Sequence, residues 1–491
     1  MKRFVRTVLC ALMCALSAPA CSQVPADTAA KIDRYVLEQM REGQIPGLAL
    51  AIVQDGETAY LKGYGVAEGS RPVTPSTPFY VCSVGKAFTA LAVRQLAGEG
   101  MLRYDAPVKN YISWFTLADP EAAGQITIAD LISHTSGFST AQGTAPWTYN
   151  ADCTIEDAVR KLSRVSTVRK PGSAREYSNL DYIILGLVVE KVSGMAYGDY
   201  LQRSIFDRLG MRSSYTSPQA AEADGLAPGH QVVYGITVKT SLPLPRAQVP
   251  AGFQMSSVED MAKFAALYLT NGYAQGQSMF KGNELREVRA PMAAYTDSMH
   301  YDIYFSCENG EPSGYLGYGG HLGASSDYTS ALLFSPRRHT ALVVLANCNN
   351  GFTRPAVSAQ TIANALCALL DTGSAPEVVH PNRGGRDNGI LIPVLVFVFL
   401  MMRTYRIRAF IRGIRGGRFH KALAIAAYIL EGTAAAVLII APLLLFDVSW
   451  AYLINSNPAL WFQVLLAGCW LTCVFFTKST LLVRHRGNKK A

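Results

Sequence analysis

The chain has 491 residues, 45 lysines and arginines against 36 aspartates and glutamates, an apolar fraction of 49% and a positive mean hydropathy. That is too long for one small domain and too apolar for a disordered chain, so it fits a folded body with membrane segments attached. The basic excess lies at the ends: residues 1–20 hold 3 basic groups and no acid, residues 371–491 hold 14 basic and 5 acidic groups, and residues 21–370 hold 28 basic and 31 acidic. A slightly acidic body argues against nucleic acid as a partner, and basic groups bordering apolar runs are what membrane topology requires.

Taken in order, Lys2, Arg3 and Arg6 precede the apolar run 8–16 and the sequence Ala18-Pro19-Ala20, which predicts a secretory signal over residues 1–20. Cys21 raises a lipoprotein alternative, although Ala18 stands where a leucine is usual. Two β-rich runs, Gly47–Gln54 and Glu57–Val66, flank Asp55-Gly56, a hairpin signal.

The stretch Tyr80–Ala90 follows and predicts the N-terminus of a buried helix, with Phe88, Leu91, Ala92 and Leu96 at helical spacing and Gly98 and Gly100 closing the pattern. It places Ser83 and Lys86 one turn apart on one face, so hydroxyl and amine can meet. A serine becomes a nucleophile only when a base takes its proton, and a desolvated lysine can be that base.

Residues 105–111 and 126–137 predict a loop, a short helix and a glycine-bounded turn in which His134 has a structural part. An apolar helix is expected over Tyr182–Val192 and another over Ser256–Asn271, the latter opened by serines with Glu259 in its first turn. Strands are expected at Met299–Cys307, Tyr328–Ser335 and His339–Ala346, with a closing helix over 356–370. Strands at both ends of the body and helices between them predict an α+β fold: one antiparallel sheet flanked by helices, in an α/β sandwich with an all-helical lobe. The body spans 21–371 and a linker 372–388. A membrane domain over 389–491 then carries three expected transmembrane helices at 389–402, 422–446 and 459–476. Three crossings put Arg403–Lys421 and the C-terminus on the cytoplasmic side and the body outside, in a multi-pass cell-membrane protein contacting the lipid bilayer. The first segment, of only 14 residues, relies on Arg403 snorkelling. Glu431 falls inside the second and is a candidate helix or partner contact. The cysteines match no disulfide framework, no Cys/His pair has zinc spacing, and no metal or organic cofactor is implied. Cys82 beside Ser83 is expected to be a small buried filler.

Three motifs in order, Ser83-Val-Gly-Lys86, Tyr177-Ser-Asn179 and His321-Leu-Gly323, resemble the S-x-x-K, Y-x-N and H/K-x-G set of serine penicillin-recognising enzymes, in particular the class C β-lactamase and D-alanyl-D-alanine carboxypeptidase branch with its esterase-like relatives. The blocks at 45–52, 62–66, 132–137, 209–211 and 251–262 extend that resemblance over 32–370. The resemblance implies Ser83 as the acylated nucleophile, with Lys86 and Tyr177 sharing the general-base work and a phenolate-like Tyr177 stabilised by cationic Lys86. It implies Asn179, His321, Gly323 and Ala324 as substrate-binding groups: Asn179 holding the substrate amide and Lys86, His321 on an edge strand, Gly323 leaving room for substrate backbone, and the N–H groups of Ser83 and Ala324 forming an oxyanion hole. Gly85 and His321 depart from the family, which more often has a polar residue and a lysine there. An imidazole holds a carboxylate less firmly than an ammonium does, which loosens the implied preference for β-lactams and D-Ala-D-Ala. The implied activity is acyl transfer and hydrolysis on a small-molecule or peptide substrate: a peptidoglycan stem peptide, a β-lactam, an amide or an ester. The alternative is a penicillin-binding sensor or a non-catalytic membrane-associated module.

Overall fold

A computed structural model describes residues 23–380, apart from residues 151, 234–235, 241–244, 271, 275–276, 279–306, 309–310, 313–318 and 351–356, together with scattered positions between 410 and 480. The expected signal, Cys21, Glu431, most of the strand at 299–307 and most of the three apolar C-terminal segments lie outside the described residues. Among the described residues no helix is long and apolar enough to cross a membrane.

The body opens with a helix the sequence pattern did not bring out, α1 (Ala26–Gly43), which buries Ile32, Tyr35, Val36, Gln39 and Met40. Two strands follow, β1 (Gly47–Gln54) and β2 (Glu57–Glu68), turned by Asp55 and Gly56, both with positive φ as such a two-residue hairpin demands. A short edge strand β3 (Arg71–Pro72) ends this arm. The other arm comes from the far end of the body: β4 (Gly319–Ala324), β5 (Thr329–Ser335) and β6 (Thr340–Ala346). They join in one six-stranded sheet of order β4-β5-β6-β1-β2-β3, with β1 antiparallel to β6 from Leu48↔Ala346 to Gln54↔Thr340. The antiparallel α+β architecture expected from the sequence is therefore present.

Alternation of side chains across the pleat splits the core in two. Ala49, Ala51 and Val53 of β1 and Val343 and Leu345 of β6 face the larger core shared with the helical lobe. Leu48, Leu50 and Ile52, with Leu342 and Val344, face α1 and the closing helix α6 (Ala359–Thr372). Because both faces are covered, the central strands read as uninterrupted apolar runs.

The lobe inserted between the two arms carries α2 (Lys86–Gly98), α3 (Ile128–Ser133), α4 (Asn179–Ser193) and α5 (Val258–Leu269). Thr127 and Asp130 close a capping box on α3, and Ser257 accepts from Asp260 N at the start of α5. The expected helices at 182–192 and 256–271 are thus found with slightly different ends, α4 starting three residues earlier so that Asn179 is its first residue.

Candidate active site

Ser83 does not sit in the α-helix itself. Residues Cys82–Gly85 form a 3-10 turn that runs directly into α2, whose first residue is Lys86. With three residues per turn, side chains at i and i+3 eclipse, so Ser83 and Lys86 are brought onto one line more closely than an α-helix would bring them. Cys82 has φ 50°, a left-handed conformation that a non-glycine residue adopts at a cost and that here immediately precedes Ser83.

Neighbouring strands hold this turn in place. Tyr80 pairs with Met255, Val81 N donates to the Gln254 carbonyl at 3.0 Å, and Ser330 Oγ donates to the Val81 carbonyl at 2.6 Å. β4 passes directly alongside. A Cβ on Gly323 would stand 2.7 Å from the Val81 carbonyl oxygen and 2.9 Å from Cys82 Cβ. The missing side chain therefore lets the edge strand approach the turn.

Four of the residues singled out from sequence meet here. Ser83 Oγ lies 2.9 Å from the Tyr177 hydroxyl. Lys86 Nζ donates to Asn179 Oδ1 at 2.7 Å and to the Ala251 carbonyl, and stands 4.8 Å from the centre of the Tyr177 ring and 5.5 Å from that of Tyr182. Lys86 is fully buried, whereas Ser83, Tyr177 and Asn179 are half-buried. His321 is 3% exposed on β4, paired in register with Leu332, with Nδ1 3.0 Å from the Leu322 carbonyl oxygen. Ala324 ends the same strand opposite Thr329.

Burial sets the charges. It pulls the Lys86 ammonium down to about 7, against a smaller opposing pull from Asp181. It pushes the Tyr177 hydroxyl up to about 12. A cation in a dry site is disfavoured, and so is a phenolate. The pair therefore favours free amine and protonated phenol, the reverse of the phenolate and ammonium implied by the resemblance. Geometry agrees. A neutral amine has two N–H groups, and two acceptors, Asn179 Oδ1 and the Ala251 carbonyl, are in place for them. Its lone pair then remains to take a proton. His321 is pulled down to about 3, first by burial and then by the Lys86 charge, so its imidazole is neutral at physiological pH. Cys82 is pushed up to about 12 by burial, with Sγ 3.8 Å from the carbonyls of Tyr80 and Tyr328, and is the packed filler expected.

Beneath Tyr177 lies a layer that the sequence analysis only touched. His134, at the C-terminal cap of α3 with φ 57°, stacks its ring 4.7 Å from Tyr177 and 5.3 Å from Tyr182. Its Nδ1 is 2.7 Å from Asp181 Oδ2, and Ser136 Oγ donates to Asp181 Oδ1 at 2.5 Å. The signal for Asp181 was an acid set inside the apolar run Leu180–Leu185; for Ala251 there was none, since its contribution is a backbone carbonyl. Among the described residues no group of three or more His, Cys, Asp or Glu side chains is arranged to hold a metal ion.

Comparison with known proteins is consistent with this geometry. The chain is 26% identical over 328 residues to protein flp of Staphylococcus aureus, which covers 66% of this chain and 64% of that protein, so it spans less than two thirds of that relative's length. It is 30% identical over 320 residues to penicillin-binding protein 4 of Amycolatopsis lactamdurans, covering 62% of this chain and 82% of that one. The fold superimposes on the octameric penicillin-binding protein homologue from Pyrococcus abyssi with a TM-score of 0.56 at 27% identity, over 70% of this chain and 77% of that one. The family model described as Beta-lactamase matches residues 32–366, nearly the whole body from α1 to α6, and the chain belongs to that family.

Proposed function

We propose that this chain is a serine hydrolase acting through an acyl-Ser83 intermediate. The observation that carries the reading is the Lys86 amine, buried, poised near neutrality and committed to two acceptors, beside a Ser83 hydroxyl already bonded to Tyr177. In the forward step Ser83 Oγ attacks the substrate carbonyl while its proton passes to Lys86, directly or through the Tyr177 hydroxyl. The negative charge on the carbonyl oxygen is met by the N–H groups of Ser83 and Ala324. The leaving group departs with the proton held by Lys86, and water then cleaves the acyl ester by the same route in reverse. Asn179, His321 and Ala324 line the substrate side.

The substrate class that family membership favours is a cell-wall peptide or β-lactam, with small amides and esters admitted by the neutral His321. The body is read as extracytoplasmic and tethered by the three C-terminal apolar segments, a reading that rests on the charge and hydropathy of the sequence.

Membranes carrying the protein and its Ser83→Ala variant are treated with a fluorescent penicillin and a fluorophosphonate. Labelling of the intact chain and none of the variant is expected. Absence of label from both probes defeats the hydrolase reading, and penicillin label that never decays favours a sensor. Protease added to intact cells is expected to digest the body; a protected body overturns the proposed topology.

A further inference from the structure

The Asp181–His134 pair has a protonation state that its neighbours dictate. The Ser178 backbone N–H donates to His134 Nδ1 at 3.3 Å. A backbone amide can only donate, so Nδ1 presents a lone pair and carries no hydrogen. Asp181 Oδ2 stands 2.7 Å from that same Nδ1, and two lone pairs at that distance would repel. The hydrogen between them therefore belongs to the carboxyl. The other oxygen, Oδ1, accepts from Ser136 Oγ.

We propose that Asp181 is held as the neutral acid, donating from Oδ2 to His134 Nδ1, and serves as a positioning residue that keeps a carboxylate charge away from Lys86. The inference rests on the reading of Lys86 as base given above. The groups facing the pair are Lys86 from α2, Asp130 from α3, Arg175 and Tyr177 ahead of α4, Tyr182 on α4 and His321 on β4. Asp181 is 0% and His134 3% exposed. Burial raises the Asp181 carboxyl well above the usual range and lowers His134, in the same sense as the hydrogen bonds. An ionised Asp181 pulls Lys86 toward the ammonium, against the burial that lowers it. The acid is thus useful while protonated: it braces the His134 ring under Tyr177 without supplying charge.

The test is the infrared carbonyl band of a buried protonated carboxyl in the full chain, compared with Asp181→Asn. Loss of one such band is expected, which separates Asp181 from Glu190 and Asp327, whose carboxyls burial also raises; no loss overturns the proposal. In parallel, Asp181→Ala is expected to slow Ser83 labelling by about tenfold or more, and Asp181→Asn to recover it to within about threefold with the acid limb unmoved. An acid limb that falls by about one pH unit in Asp181→Asn shows that a carboxylate was lost and overturns the proposal. If Asp181→Asn does not fold, His134→Phe with isotope-labelled aspartate reads the same band, which is expected to shift as its acceptor is removed; an unmoved band overturns the proposal. The band does not depend on any acyl chemistry, so its absence and a failure of Ser83 to label are separate results.

Discussion

Lys86 Nζ donates to Asn179 Oδ1 at 2.7 Å, joining the first residue of α2 to the first residue of α4. A neutral amide at that position accepts a hydrogen bond without adding charge, so Asn179 does not oppose the burial that, against a smaller pull from Asp181, draws the Lys86 ammonium down to about 7. With the unprotonated amine as the proposed base, the rate of Ser83 labelling is expected to rise with pH through about 7 and then level, because Tyr177, near 12, stays protonated. Asn179→Asp places a carboxylate against the amine and favours ammonium. Its acid limb is expected to move up by about one pH unit or more, with labelling at pH 7 down by about tenfold. An acid limb that stays put would show that Lys86 is not the titrating group.

Gly85 is fixed by packing. A Cβ there would lie 2.7 Å from Cδ of Gln254, whose amide donates to the Gly85 carbonyl at 3.2 Å and to the Tyr197 hydroxyl at 2.9 Å. Gly85→Ala is expected to destabilise the protein by about 1–3 kcal/mol, read from the urea midpoint, since Gln254 must leave two buried partners to make room. Adding Gln254→Ala is expected to cost less than the sum of the two single changes.

Cys82, Cys153, Cys348 and Cys367 are buried thiols, and burial raises Cys82 and Cys348 to about 12. The thiolate is the reactive form, so iodoacetamide applied at pH 8 is expected to leave all four unmodified in the folded chain and to alkylate them after denaturation, as mass spectrometry reads directly. Modification of Cys82 in the folded chain would mean that the Ser83 turn opens.

His321, drawn down to about 3, offers a carboxylate no positive charge. His321→Lys is expected to raise the rate of labelling by an anionic penicillin relative to an uncharged fluorophosphonate by about tenfold, roughly the effect of one charge-assisted hydrogen bond. An unchanged ratio would place carboxylate recognition elsewhere in the cleft.

The sheet and its assembly from both chain ends were legible because β1, β5 and β6 are apolar runs whose faces are both covered, and Asp55-Gly56 marks its hairpin. The meeting of Ser83, Lys86, Tyr177 and Asn179 was legible as motif. The charges were not, because they depend on how deeply Lys86 and Tyr177 are buried, which no local pattern reports. α1 carries little local signal: Pro25 at its N-cap makes no side-chain hydrogen bond, and its buried residues are spread among charged ones. The His134 turn was legible as a glycine-bounded turn, but its carboxyl partner, 47 residues away, appears only when α3 and α4 pack.

The order of the sheet also has a consequence for synthesis. β1 and β2 leave the ribosome early, yet β1 finds its other neighbour, β6, only after nearly three hundred further residues have been made. Until then one edge of an apolar hairpin is unpaired, and the Ser83 turn lacks the strand that passes alongside it. Such long-range pairing is slow, and exposed strand edges are where growing chains aggregate. A chain interrupted anywhere before β6 would carry the Ser83 turn on an incomplete support, so the proposed site can assemble only after about two thirds of the chain has been made.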